Sequence, residues 1–152
     1  MSKLEDGAVS KVYVASSWRN PDHSAVVAKI RACCHEVYDF KNPAPGVTGF
    51  SWAEIDPNWK SWNESAYIRA LHHPVAKEGF YRDFDAMEQA SVCVLLLPCG
   101  RSAHTEAGYM KGAGKKVFVL LTKPEEPELM YKIYDAIFEN IHDLIYALGR
   151  TR

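Results

Sequence analysis

The residues most able to do chemistry sit in "CGRSAHTEAGYMKGAGKK", a polar insert between two apolar runs, "VCVLLLP" and "KVFVLL". The insert carries one acidic residue, Glu106, one turn into a helix predicted to open at Ser102. A helix N-terminus stabilises a carboxylate through its dipole and its spare amides, which keeps Glu106 ionised. An ionised carboxylate suits a nucleophile, or an electrostatic partner for an oxocarbenium-like carbon. The plainer alternative is an ordinary first-turn glutamate, and on position alone that alternative is the stronger. Two more carboxylates, Asp83 and Asp85, lie in "YRDFDAMEQA", just before the first apolar run. At i and i+2 they cannot share a helix face, so only one should face a cleft. Such a second acid can hold the nucleophile, protonate a leaving group or activate an acceptor. As a solvated helix flank beside Arg82, the pair would need no role at all.

Two loops offer anion contacts. "SSWRNPD" places Ser16, Ser17, Trp18 and Arg19 after an apolar strand. Small hydroxyl residues let backbone N–H groups approach an anion. Arg19 suits a phosphate and Trp18 a stacked base, although a polar turn capping the next helix explains the same residues. "GRS" (Gly100, Arg101, Ser102) repeats the theme, with Ser102 the best N-cap by type and position. Neither loop has a Walker or G-x-G-x-x-G pattern. His104 lies in the first helical turn, where a partly exposed surface histidine is the commoner case. His72 and His73 lack ligand spacing and acidic company, so no metal is assigned.

The elements that must hold these groups follow from periodicity. "KVYVA" (11–15), "HEVYDF" (35–40), "VCVLLLP" (92–98), "KVFVLL" (116–121) and the short "AIF" read as strands. Helices are predicted over "AVVAKIRACC" with Ser24 as its cap, over 60–71, and over 76–90 with a break near Gly79. Further helices are predicted over 102–114, over "PELMYKIYD", and over "NIHDLIYALG", capped by Asn140 and stopped at Gly149. Alternating strands and helices imply a three-layer, doubly wound, mostly parallel five-stranded sheet, flavodoxin- or Rossmann-like. Ligands bind such sheets at the carboxyl ends of the strands, near the switch in strand order. The loops after the first, second and "VCVLLLP" strands meet that edge. The aromatic segment 50–67 reads equally as a lid over a ligand or as a satellite core or subunit contact.

The remaining bounds are mild. At 152 residues the chain makes one domain, 1–152, with residues 1–10 polar and frayed. A net charge of -1 gives no case for a nucleic acid polymer as partner. No run is long enough to span a membrane and no signal-peptide core is visible, so the expected place is the cytoplasm. Cys33, Cys34, Cys93 and Cys99 form no C-x-x-C pair and are expected as free thiols, Cys93 in the core.

Taken together, "KVYVASSWRN", "YRDFDAMEQASVCVLLLP" and "GRSAHTEAGYMKGAGKKVFVLL" resemble the nucleoside 2-deoxyribosyltransferase family and its relatives, the deoxynucleoside-monophosphate and CMP N-glycoside hydrolases. The resemblance runs over residues 11–121. It implies that Glu106 attacks the anomeric carbon of the sugar and releases the base, which reverses the weighting of that residue. It puts the partner carboxylate on Asp83, with Asp85 the runner-up. Ser17 and Arg19 fall in the sugar and phosphate loop, and Ser102 in the loop before the nucleophile. The implied partner is a small-molecule nucleoside or nucleotide, the implied assembly a homodimer or larger, and no cofactor is called for. Ser91 stands where the family often has Asp, and "GFSWAEIDPNWKSW" has no counterpart. The alternatives are a nucleotide-binding module without turnover, a domain that cleaves NAD as TIR-type domains do, and a phosphate-binding flavodoxin-like protein.

Overall fold

The computed structural model describes residues 10–151. The expectation of a frayed start falls outside them except at Ser10, which is buried and accepts the Glu36 N–H at 3.1 Å. The described chain forms five strands and five α-helices. The strands are β1 (Lys11–Ala15), β2 (Glu36–Tyr38), β3 (Val92–Leu96), β4 (Lys116–Leu120) and β5 (Ala136–Phe138). The helices are α1 (His23–Ala32), α2 (Glu64–Ala70), α3 (Pro74–Gln89), α4 (Arg101–Gly112) and α5 (Ile141–Gly149). The chain divides into two compact units: one runs through Tyr38 and resumes at Gln89, the other is Asp39–Glu88.

The first unit holds the sheet. All five strands are parallel, in the order β2-β1-β3-β4-β5. β3 is buried at every position, as an uninterrupted apolar run in mid-sheet must be. On one face Val12, Val14, Val94 and Leu96 pack with Ile30 of α1 and Leu144 and Leu148 of α5. Each such side chain contributes about 1.5–3 kcal/mol on full burial. The alternate strand residues Tyr13, Ala15, Cys93 and Leu95 are equally buried. α4 packs against β1, β3 and β4 through Ala103, Ala107 and Met110, at the i, i+4, i+7 spacing of one helix face. Among the described residues no helix is long and apolar enough to cross a membrane.

Element ends differ from expectation where a local hydrogen bond outbids periodicity. α1 starts at His23, with Asp22 rather than Ser24 as N-cap, because Asn20 Oδ1 accepts the Asp22 N–H at 2.8 Å and fixes the turn there. β2 ends at Tyr38 because Asp39 turns the chain, accepting from Lys41 N (2.9 Å) and Asn42 Nδ2 (3.2 Å). The segment over "PELMYKIYD" is a 3-10 turn, Leu129–Ile133. Asn140 caps α5 as expected, accepting from Asp143 N at 2.9 Å.

The second unit contains two 3-10 turns, Trp52–Glu54 and Trp59–Ser61, then α2 and most of α3. Residues 60–71 are not one helix. Asn63 caps α2 by accepting from Ala66 N (2.9 Å), and Trp62 before it is extended, its indole N–H bound to Asp56 Oδ2 at 2.7 Å. Nor is α3 broken at Gly79. A Cβ there would come within 2.9 Å of Phe50 Cβ, so the glycine serves close packing inside a continuous helix.

Asp135, just before β5, ties α4 to β4 in the first unit. Its carboxylate accepts from Val117 N at 2.8 Å and pairs with Lys111 (3.0 Å) and Lys116 (3.5 Å). Burial works to raise its pKa, but the Val117 amide and the two lysines outweigh that and hold it below the usual carboxylate range. A depressed carboxylate stabilises the fold above its unfolded pKa, and that contribution fades as pH falls through the folded value. Asp135→Asn is therefore expected to cost about 1–3 kcal/mol in urea unfolding at neutral pH. The gap from the parent should narrow below about pH 4.

Candidate functional site

β1 and β3 are neighbours, yet the chain leaves β1 toward β2 on one side and β3 toward β4 on the other. Loops after two such strands diverge and open a crevice at their carboxyl ends. Residues 16–22 and 97–100 occupy that place. The bond between Leu97 and Pro98 is cis. Asn20, only 3% exposed, ties the two loops together: its Nδ2 donates to the Pro98 carbonyl at 3.2 Å while its Oδ1 holds Asp22 N.

The first loop is ordered from within. Ser16 is buried and its hydroxyl meets Nδ1 of the fully buried His23 at 2.5 Å. Its side chain therefore faces the protein interior. Ser17 Oγ accepts from Arg19 N (3.1 Å) and the Ser17 carbonyl from Asn20 N (3.0 Å), a compact turn that leaves Arg19 exposed and Trp18 51% exposed.

α4 is capped two residues earlier than its sequence suggests. Gly100, not Ser102, is the N-cap, because the Gly100 carbonyl already accepts the first helical N–H, from His104 (3.4 Å). Arg101 and Ser102 are exposed on the first turn. Glu106 is thus past that turn, where the pull of the helix dipole has faded. Its setting comes from the sheet instead. Glu106 is half-buried, and its charge reaches two thiols. Cys93 of β3 has its pKa driven up by burial first and by Glu106 second. Cys99 is pushed up to about 12 by burial, with Glu125 and Glu106 adding to it. Glu106 sits on the helix that follows β3 and packs against it. Both thiols stay protonated and inert at neutral pH.

On the opposite shoulder of α4, His104 bridges two segments. A carbonyl can only accept, so His104 Nδ1 carries the proton and donates to Gly100 O (2.7 Å). Nε2 is then the acceptor for the Tyr131 hydroxyl at 2.7 Å, with the two rings stacked 10° from parallel. Burial pushes the Tyr131 phenol up to about 12, which keeps it a donor. This pair borders a cleft of about 540 Å³ that includes Met130, Ile133 and Tyr134.

Asp83 and Asp85 lie on α3, in the second unit. Asp83 is half-buried and Asp85 exposed, as expected of residues two apart on a helix. His72 and His73 also belong to the second unit, and among the described residues no group of three or more His, Cys, Asp or Glu is arranged to hold a metal ion. Asn20, His23 and the His104–Tyr131 pair were not singled out as a framework by the sequence. "RNPD" signals a turn, but nothing local announces that its asparagine reaches Pro98. Removing that reach should loosen the crevice: Asn20→Ala is expected to lower unfolding stability by about 1–3 kcal/mol by orphaning buried polar groups, read from a chemical denaturation curve.

No family model and no curated protein matches the sequence. Solved structures do. A 2-deoxyribosyltransferase from Bacillus psychrosaccharolyticus superposes with a TM-score of 0.60 at 20% identity, covering 91% of this chain and 96% of that one. A conserved protein from Enterococcus faecalis V583 gives 0.59 at 15% identity, over 94% and 99%. A CMP N-glycosidase from Clostridium botulinum gives 0.48 at 14%, over 91% and 97%, an overlap too loose to bear weight. The chain therefore has the fold of the Bacillus psychrosaccharolyticus 2-deoxyribosyltransferase over nearly its whole length.

Proposed function

We propose that the protein breaks the N-glycosidic bond of a nucleoside or nucleotide, with Glu106 as nucleophile. The observation that carries this reading is Glu106 itself: a half-buried carboxylate on α4, the helix that leaves the central strand β3 and packs back against it. The fold shared with a 2-deoxyribosyltransferase supports it.

The chemistry balances with the chain's own groups. A Glu106 oxygen bonds to the anomeric carbon as the C–N bond breaks, and that electron pair goes to the base nitrogen. The departing base takes a proton, for which Asp83 is the proposed donor or Glu106-orienting group, with Asp85 the runner-up. Water, or the nitrogen of a second base, then displaces Glu106 from the same carbon. Two displacements give net retention, with carboxyl groups about 5–5.5 Å apart in enzymes of this kind. Arg19 in the first loop and Arg101 on the first turn of α4 suit a 5′-phosphate, and Trp18 and Ser17 complete the first loop. Gly100 and Ser102 shape the second loop, and Ser16 contributes backbone, its hydroxyl being held by His23. No cofactor enters these steps. The proposed assembly is a homodimer or larger.

The test is chromatographic detection of free base from a panel of deoxynucleosides, nucleoside monophosphates and NAD. Glu106→Ala is expected to lower kcat/KM by about 10³-fold or more, some 4 kcal/mol at 1.36 kcal/mol per decade. Asp83→Asn should lower it by about 10²-fold, and Asp85→Asn should leave it near the parent value. Base release by Glu106→Ala at the parent rate would remove the assignment.

A further inference from the structure

The second unit holds a pocket of about 330 Å³ that the proposed reaction does not use. Its floor is Ala66 and Ala70, one turn apart on α2, whose small side chains leave the space open. One wall is Trp62. Its indole N–H is consumed by Asp56 at 2.7 Å, and its ring stands edge-to-face against Trp52, which in turn meets Phe50 and Tyr67. The ring is thereby fixed before any ligand arrives, a flat apolar surface whose one donor is already satisfied.

The rim has the opposite character. Asp56 is the only acid in the lining, and both its oxygens accept, one from Trp62 and one from Asn58 N (2.8 Å). These bonds hold its pKa below the usual carboxylate range. His73 spends Nδ1 on Val75 N at 3.1 Å. Arg69 and His72 line the same opening, both exposed. Among the described residues neither side chain has a hydrogen-bond or ion-pair partner. The unspent polar capacity of the pocket is therefore guanidinium and imidazole, above an apolar floor and an aromatic wall. Guanidinium pairs with phosphate and carboxylate by parallel N–H donors, and a planar ring stacks on indole.

We infer that this pocket is a binding site for a small planar ring carrying an anionic group, the ring against Trp62 and the anion on Arg69 and His72. The site lies wholly within the second unit and stands independently of the reaction proposed for Glu106. A nucleoside monophosphate and an aromatic carboxylate share the required chemistry.

The experiment follows the Trp62 indole N–H and the Arg69 Nε–H signals by NMR on the full chain, with the indole signal assigned from Trp62→Phe. The probes are CMP, cytidine, inorganic phosphate and benzoate, and each titration is repeated on Glu106→Gln. CMP or benzoate should shift both signals saturably, and whichever binds tighter identifies the source of the ring. Cytidine, lacking the anion, and phosphate, lacking the ring, should bind about tenfold or more weakly. Arg69→Gln should weaken the effective probe by about tenfold, and Ala66→Leu should abolish its effect by filling the floor. Persistence of the shifts in Glu106→Gln separates this pocket from the proposed catalytic one. The inference is overturned if neither CMP nor benzoate moves the Trp62 signal, or if Arg69→Gln and Ala66→Leu bind like the parent.

Discussion

One side-chain hydrogen bond spans the place where the sheet reverses its winding: Asn20 Nδ2 to the Pro98 carbonyl. The reversal itself is forced by topology. β1 and β3 pair in parallel register, Val14 opposite Val94, but their following helices pass to different faces, α1 with α5 and α4 opposite them. Without a tie, the two loops would be independent surface turns. Asn20 makes them one structure by satisfying a carbonyl on one loop and an amide on the other, from a position almost closed to solvent. The Ser16–His23 pair below and the His104–Gly100 bond beyond extend the same logic. Polar groups that must be buried at the sheet edge are paired with each other, which fixes the backbone around the crevice.

That framework explains how Glu106 acquires a defined setting without an N-terminal position on its helix. Ala103, Ala107 and Met110 seat α4 on the sheet. Glu106 lies on the shoulder of that buried face, so the carboxylate is half-covered and felt by Cys93 and Cys99. At the far end of α4, Gly114 with φ +85° ends the helix, its N–H bonded to Lys111 O and that of Lys115 to Met110 O. Lys111 and Lys116, flanking that stop, converge on Asp135. The helix is thus held at its start by His104 and Tyr131, along its length by the sheet, and at its end by an ion-pair cluster.

Much of this was legible in the sequence, and the reasons are specific. The inner strands β1, β3 and β4 announce themselves because a parallel sheet buries both their faces, and runs such as "VCVLLLP" have few other uses, whereas the short edge strands β2 and β5 are only partly covered. The Asn140 cap was readable because its partner amide is three residues away. The misplaced starts of α1 and α4 have the opposite cause. Ser24 and Ser102 are good caps by type, yet Asn20 and the Gly100 carbonyl set the first turns through contacts that propensity does not encode. Trp62 looked helical by spacing and is held extended by Asp56. Gly79 looked like a break and is a packing contact with Phe50. In the candidate site the charged residues were visible, while the polar framework of Asn20, His23 and Tyr131 was not. Its partners lie up to 78 residues away in the chain.

The account turns on a covalent bond between one carboxylate oxygen and one sugar carbon. The most direct measurement is peptide-level mass spectrometry of protein quenched during turnover of the best substrate in the panel. It should find a glycosyl adduct on the peptide that contains Glu106, and the sugar product should keep its anomeric configuration. An unmodified Glu106 peptide under active turnover, together with an inverted product, would contradict it.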